Sequence, residues 1–156
     1  MAGKKVTTHD FKDGRGPVAA HQHPNGGGWV ADTASVDDNA YVGKDACVYG
    51  NARVSGDAWV FGNARVSGDA RVFGKAQVSG NALVTENSLL YENAWVSEEA
   101  LVYGDARVSG KARVFGSALV HGNSMVYENA RVFGNAWVDG DARVYGSEKI
   151  SSGEKK

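Results

Sequence analysis

Cysteine is almost missing from this chain: Cys47 stands alone, so no intrachain disulfide can form and nothing marks an oxidising compartment. Proline is nearly as scarce, with Pro17 and Pro24 both close to the start. Of four histidines, His9, His21 and His23 precede residue 28 and only His121 follows. Threonine is confined to Thr7, Thr8, Thr33 and Thr85, which excludes the ranks of small hydroxyl side chains that an ice-binding face needs. No apolar run is long enough to span a membrane, and residues 1–5 lead into polar sequence rather than a signal-peptide core. Neither charge is in excess. The 17 Lys and Arg against 18 Asp and Glu leave −1, which argues against a general binder of long nucleic acid or membrane. The expectation is a cytoplasmic protein.

What the chain does contain is periodic. From Val30 to Ile150 an aliphatic residue occupies every sixth position through 21 hexads, with Leu90 the only internal departure from valine. Two places before each sits a small residue, nearly always alanine. A period of six suits neither a helix nor a strand meander, so it reads as a structural repeat. In Ala52-Arg53-Val54-Ser55-Gly56-Asp57, alternation points Ala52 and Val54 inward and Arg53 and Ser55 outward, as a short strand requires. Gly56 and Asp57 turn a corner, glycine because it accepts positive φ and Asn or Asp because it tolerates the left-handed region. Glycine holds the first corner position in 13 hexads and Asn or Asp the second in 14, so the pattern predicts about four residues of strand and two of bend. Three such sides close a triangular coil, and coils stacked ~4.8 Å apart pair through their backbones. Alanine accompanies valine because a narrow prism has no room for two large residues per side.

One domain suits 156 residues, with the repeat over 28–153. Residues 1–27 do not repeat, carry Gly14, Gly16, Pro17 and Pro24 as turn signals, and read as an N-terminal cap. Residues 154–156 read as a charged tail, and Glu148 replaces an inward alanine nearby. Charge at that end would blunt an open sheet edge.

Units such as Ala58-Trp59-Val60-Phe61-Gly62-Asn63 and Ala64-Arg65-Val66-Ser67-Gly68-Asp69 resemble those of the hexapeptide-repeat proteins, over about four-fifths of the chain. The resemblance implies an all-β fold, a left-handed parallel β-helix with 18 residues per coil and about seven coils, ~30 Å long. Its handedness comes from the resemblance alone, because ordinary parallel crossovers are right-handed. The segment His23-Pro24-Asn25-Gly26-Gly27-Gly28-Trp29-Val30 is similar to hexapeptide-repeat proteins of phages and prophages, which implies the cytoplasm of a host cell. Many members of the family are acyl-CoA-dependent acyltransferases with a histidine base and a loop walling the acceptor pocket. His121 is the only histidine within the repeat, and no hexad is interrupted by an inserted residue, so little would exclude water or grip a substrate. Others are zinc carbonic anhydrases, whose histidine spacing is absent here. His21-Gln22-His23 places two imidazoles on one side if extended, a weak metal candidate set against a plain solvent-facing cap. No cofactor is expected.

Stacking the sequence by 18 turns it into columns. One corner column alternates as Asn51, Asp69, Asn87, Asp105, Asn123, Asp141. Like charges at that spacing repel by about 1 kcal/mol even in water, whereas an amide can donate to a carboxylate, so this reads as a structural ladder. An outward column runs Trp29, Cys47, Arg65, Leu83, Leu101, Leu119, Trp137, and a neighbouring face adds Leu89 and Met125. Such a ridge predicts self-association, and the resemblance implies a trimer. Seven of the eight arginines also point outward. A face with Arg53, Arg71, Arg107 and Arg143 beside Phe73, Tyr91, Tyr127 and Tyr145 could hold an anion and stack a base. The plainer reading is long side chains covering an exposed strand face. Glu86, Glu92 and Glu98 replace corner glycines in succession, Glu99 adds to the acidic belt and Glu128 repeats the substitution, which reads as solvated surface rather than a partner or cation site. Together these features describe a non-catalytic oligomeric scaffold or binding protein, which holds a small anionic or nucleotide-like ligand or acts structurally, and which the resemblance makes phage-related. The competing reading is an acyl-CoA-dependent acyltransferase using His121.

Overall fold

The computed structural model describes residues 7–156. Strands of two residues, such as Arg53–Val54, Trp59–Val60 and Arg65–Val66, recur every six residues and stack in parallel into three sheets, two of them seven-stranded and the third brought to ten strands by an antiparallel hairpin at its N-terminal edge. No helix is present among the described residues, so none is long and apolar enough to cross a membrane. Partners in the parallel pairs stand 18 residues apart, as in Arg53↔Arg71, Leu83↔Leu101 and Trp95↔Arg113. The result is a parallel β-solenoid of about seven coils.

Inward valines from Val42 to Val144 are at most 1% exposed, and the alanines two places before them fill one continuous core. Each buried valine contributes roughly 1.5–3 kcal/mol of transfer free energy. Ser88 and Ser124 take alanine positions, and each hydroxyl donates to a backbone carbonyl three residues earlier, of Thr85 and His121, at 2.7 Å. A polar atom in the core is thereby satisfied.

The extended segments are shorter than the four residues the hexad suggests, because the corner begins one residue after each valine. There the first corner glycines have φ between +60° and +68°. No Asn or Asp among the described residues has positive φ, so the second corner position is not chosen for left-handed tolerance. Its backbone N–H instead continues the inter-coil pairing, as in Asn51 N–H to the Gly68 carbonyl at 2.8 Å and Asp57 N–H to Gly74 at 2.9 Å. Positive φ at the second residue of a four-residue turn alone matches a type II′ turn. The Asn and Asp side chains form little of the expected ladder: Asn123 donates to Asp141 at 3.3 Å, the one such contact among the described residues.

At the N-terminal end, Thr8–Asp10 and Pro17–Gln22 form an antiparallel hairpin whose second strand pairs with Trp29–Ala31 and covers the sheet edge. His9 stacks on Trp29 at 4.5 Å, and buried Phe11 stacks on Tyr49 at 4.9 Å. At the other end the register changes. Trp137 pairs with Glu154 and Val138 with Lys155, a step of 17, so the ten-stranded sheet runs on into the segment set apart above as a charged tail. Lys155 thus lies opposite a core valine and forms an ion pair with Glu148, which stands in an alanine position.

Candidate functional site

The solenoid presents three flat faces, each carrying two outward columns that flank the buried valines. On the first seven-stranded sheet the column before the valines reads Ser35, Arg53, Arg71, Leu89, Arg107, Met125, Arg143. The column after them holds Phe73, Tyr91, Ser109, Tyr127 and Tyr145. Phe73 and Tyr91 stack at 5.2 Å and 6°, and Tyr127 and Tyr145 at 5.5 Å and 13°. The four arginines of this face are exposed and take part in none of the ion pairs among the described residues. All eight residues of the expected anion-binding set therefore share one sheet. Leu89 and Met125, assigned above to an interface, lie within the same arginine column.

On the ten-stranded face, Leu83, Leu101 and Leu119 are paired in register on successive coils. Each is half-buried, whereas Trp137, one coil further along the column, is 48% exposed. Their ridge is flatter than a row of protruding leucines because residues one coil apart shield one another. Cys47 is largely buried in this column, and burial pushes its thiol up to about 11 against a lowering by Arg65.

The adjoining column contains Tyr103, His121 and Asp139. His121 stacks on Tyr103 at 4.7 Å and 4°, and its Nδ1 lies 3.0 Å from Asp139 Oδ1. It is a held, partly buried side chain. An Nδ1–H donated to the carboxylate leaves Nε2 as the basic nitrogen. Burial, then Asp139 and Glu86, push the Tyr103 phenol above its ordinary value.

His21 and His23 turn to separate partners. His21 is exposed and meets Asp32 at 2.8 Å, while His23 is buried with Nε2 2.8 Å from the Ala40 carbonyl. No group of three or more His, Cys, Asp or Glu side chains converges among the described residues.

The acidic belt has a structural task instead of being only solvated surface. Glu86, Glu92, Glu98 and Glu128 all have φ near +60°. Their Oε2 atoms accept from the backbone N–H of Gly104, Gly110, Gly116 and Gly146, one coil further on, at 2.6–2.8 Å. A signal was available in the sequence, since each of these glutamates is followed by glycine 18 residues later.

On the third face Trp95 donates from Nε1 to Ser79 Oγ at 3.1 Å, and Arg113 lies over its ring at 5.3 Å. Phe115 stacks on Phe133 at 5.1 Å. Trp95, Ser97, Arg113 and Phe115 line a shallow cleft of about 390 Å³. This cleft and Ser109 on the arginine face were not singled out from the sequence, because serine in an outward column is unremarkable until its neighbours one coil away are known.

A family model for the YdcK β-solenoid repeat matches residues 46–62, 76–92 and 106–122, about a third of the chain. Each match begins at an inward alanine, Ala46, Ala76 or Ala106, in the same frame as the hexads. No curated protein sequence matches the chain. Fold and repeat together make this a β-solenoid repeat protein.

Proposed function

We propose that this chain is a non-catalytic scaffold that associates with itself, as a trimer, and binds a small anionic, nucleotide-like ligand on its arginine face. The observation that carries the binding role is the pairing of two columns on one sheet. Guanidinium groups free of ion pairs among the described residues run beside stacked aromatic rings. Such a surface combines charge-assisted hydrogen bonds with stacking, the two interactions a nucleotide-like anion offers. The absence of interruptions in the repeat supports a surface role, because a catalytic pocket needs walls. The leucine face supports self-association. The resemblance of the first-coil segment to phage and prophage proteins makes a phage-related setting part of the same proposal.

One observation favours the acyltransferase reading: the His121–Asp139 pair has the geometry of an oriented general base. Thermal shifts with nucleotides and acyl-CoAs separate the two. Stabilisation by nucleotides that is lost in Arg107→Met supports the scaffold. Tight acyl-CoA binding that disappears in His121→Ala would replace it with the enzyme. Light scattering tests association, with a trimer mass expected for the native chain and a monomer for Leu101→Glu; an unchanged mass in the variant removes the leucine interface.

A further inference from the structure

The aromatic column on the arginine face is a ladder with one rung missing. Phe73 and Tyr91 form one stacked pair and Tyr127 and Tyr145 another. Between them the column position belongs to Ser109, one coil beyond Tyr91 and one before Tyr127. Two coils separate those tyrosines, about 10 Å at the usual strand spacing. The outer side of each is already occupied by its stacking partner, so their remaining ring faces look into the gap. Within the ladder, rings one coil apart stack at 5.2 and 5.5 Å. The gap therefore accommodates one more planar ring, and only one, at the ladder's own step.

The gap is open space. Tyr91, Arg107, Ser109, Met125 and Tyr127 line a cleft of about 210 Å³. Its floor carries a second, independent feature. Five serines are buried among the described residues, and four have side-chain partners: Ser67 with Thr85, Ser79 with Trp95, Ser88 with the Thr85 carbonyl and Ser124 with the His121 carbonyl. Ser109, only 8% exposed, has no side-chain hydrogen bond among the described residues. No buried side-chain polar atom among the described residues is left unpaired, so the Ser109 hydroxyl is not sealed in the protein but opens on the cleft, where it can bond a ligand atom.

Charge narrows the ligand further. Arg107 is the one cation of the cleft, and its neighbours along the column are Leu89 and Met125. Arg71 and Arg143 stand two coils away on either side, each about 10 Å along the axis. That arrangement suits a single negative charge close to a ring better than an extended polyphosphate.

We propose that the Tyr91–Ser109–Tyr127 gap is a binding site for a flat, single-ring aromatic monocarboxylate. The ring stacks between the two tyrosines, its acid meets the Arg107 guanidinium, and a ring heteroatom or hydroxyl hydrogen-bonds Ser109 Oγ. Met125 packs against the ring edge. This assignment rests on the reading of the arginine face as a ligand surface and gives that surface a locus and a ligand class.

The test titrates benzoate and nicotinate into the full-length protein and follows the Tyr91 and Tyr127 ring resonances by NMR. Cyclohexanecarboxylate, equally charged but not flat, and AMP are titrated alongside. The expected result is saturable shifts of both tyrosines with the aromatic acids, at least tenfold weaker with cyclohexanecarboxylate and in Arg107→Met. Ser109→Phe supplies the missing rung from the protein itself and should abolish binding. If that variant does not fold, Ser109→Val, which removes the hydroxyl without filling the gap, should weaken nicotinate at least threefold. Aromatic acids bound equally well by a folded Ser109→Phe would overturn the site, as would binding that leaves both tyrosines unshifted. AMP binding lost in Arg71→Met but indifferent to Ser109→Phe would overturn the gap and leave the arginine face standing. No binding of any probe would remove both.

Discussion

Glu92 Oε2 accepts a hydrogen bond from the Gly110 backbone N–H at 2.6 Å, reaching one coil along the axis from a residue whose φ is +60°. The left-handed conformation costs a non-glycine residue roughly 1–2 kcal/mol. A carboxylate bonded to a backbone N–H offsets that cost, being stronger than a neutral hydrogen bond. Glu86, Glu98 and Glu128 make the same exchange.

The exchange predicts an order of stability among variants at this corner. Glu92→Ala keeps the strained φ and loses the hydrogen bond, so it should destabilise by about 1–3 kcal/mol. Glu92→Gly loses the bond but relieves the strain, and should be milder by about 1 kcal/mol. Urea unfolding measures both, and a glycine variant less stable than the alanine variant would show that the carboxylate matters in some other way.

Cys47 should make the fold sensitive to alkali. Its thiol is raised from an ordinary 9.0 to about 11 by burial. Below pH 9 the thiol is protonated in both folded and unfolded chains and has no effect. Between pH 9 and 11 the unfolded chain releases its proton while the folded one retains it, so stability falls as pH rises. The fall attributable to this group is at most about 3 kcal/mol. Comparing native and Cys47→Ala proteins by thermal melts across that window isolates it; parallel curves would count against it.

Glu148 and Lys155 close the C-terminal end of the core as a pair. Glu148→Ala restores the usual inward residue yet leaves a lysine in register with Val138, so a small loss of about 0.5–1 kcal/mol is expected. Adding Lys155→Val should recover the stability and create an apolar end. The double variant is then expected to gain mass with concentration in light scattering, as an unprotected edge does. A double variant that stays at the native mass would show that the charges do not guard this end.

The His121–Asp139 contact fixes which ring nitrogen carries the proton. Imidazole ¹⁵N shifts should report an Nδ1–H tautomer in the neutral ring, with the population moving toward Nε2–H in Asp139→Ala. An identical tautomer ratio in the two proteins would mean that Asp139 does not orient the ring.

The hexad made the coil legible before any coordinates, because Val54 and Ala52 can be told from Arg53 and Ser55 by alternation alone. Corner detail was harder. Asp57 and Asn51 look suited to left-handed backbone, yet only the preceding glycine needs it, since a turn of this kind requires positive φ at one position. Within a single hexad the leucines at 83, 101 and 119 protrude, whereas in the stacked coils each is shielded by residues 18 away. Ser109 is silent in its own hexad for the same reason. Its meaning lies in Tyr91 and Tyr127, each one coil distant. The 17-residue step at Glu154 has no sequence mark beyond Ser151-Ser152-Gly153, where the hexad simply stops.

Parallel partners 18 residues apart give this molecule an unusual relation between length changes and surface. Deleting one whole coil would shorten the rod by ~4.8 Å and leave every downstream side chain on its own face. Deleting one hexad would preserve the alternation of buried alanine and valine equally well, but it would rotate everything after it by a third of a turn. The leucine series would then continue an arginine series, or an arginine series a leucine one. Gain or loss of six residues is thus a way to exchange entire faces at a stroke, with the interior left as it was.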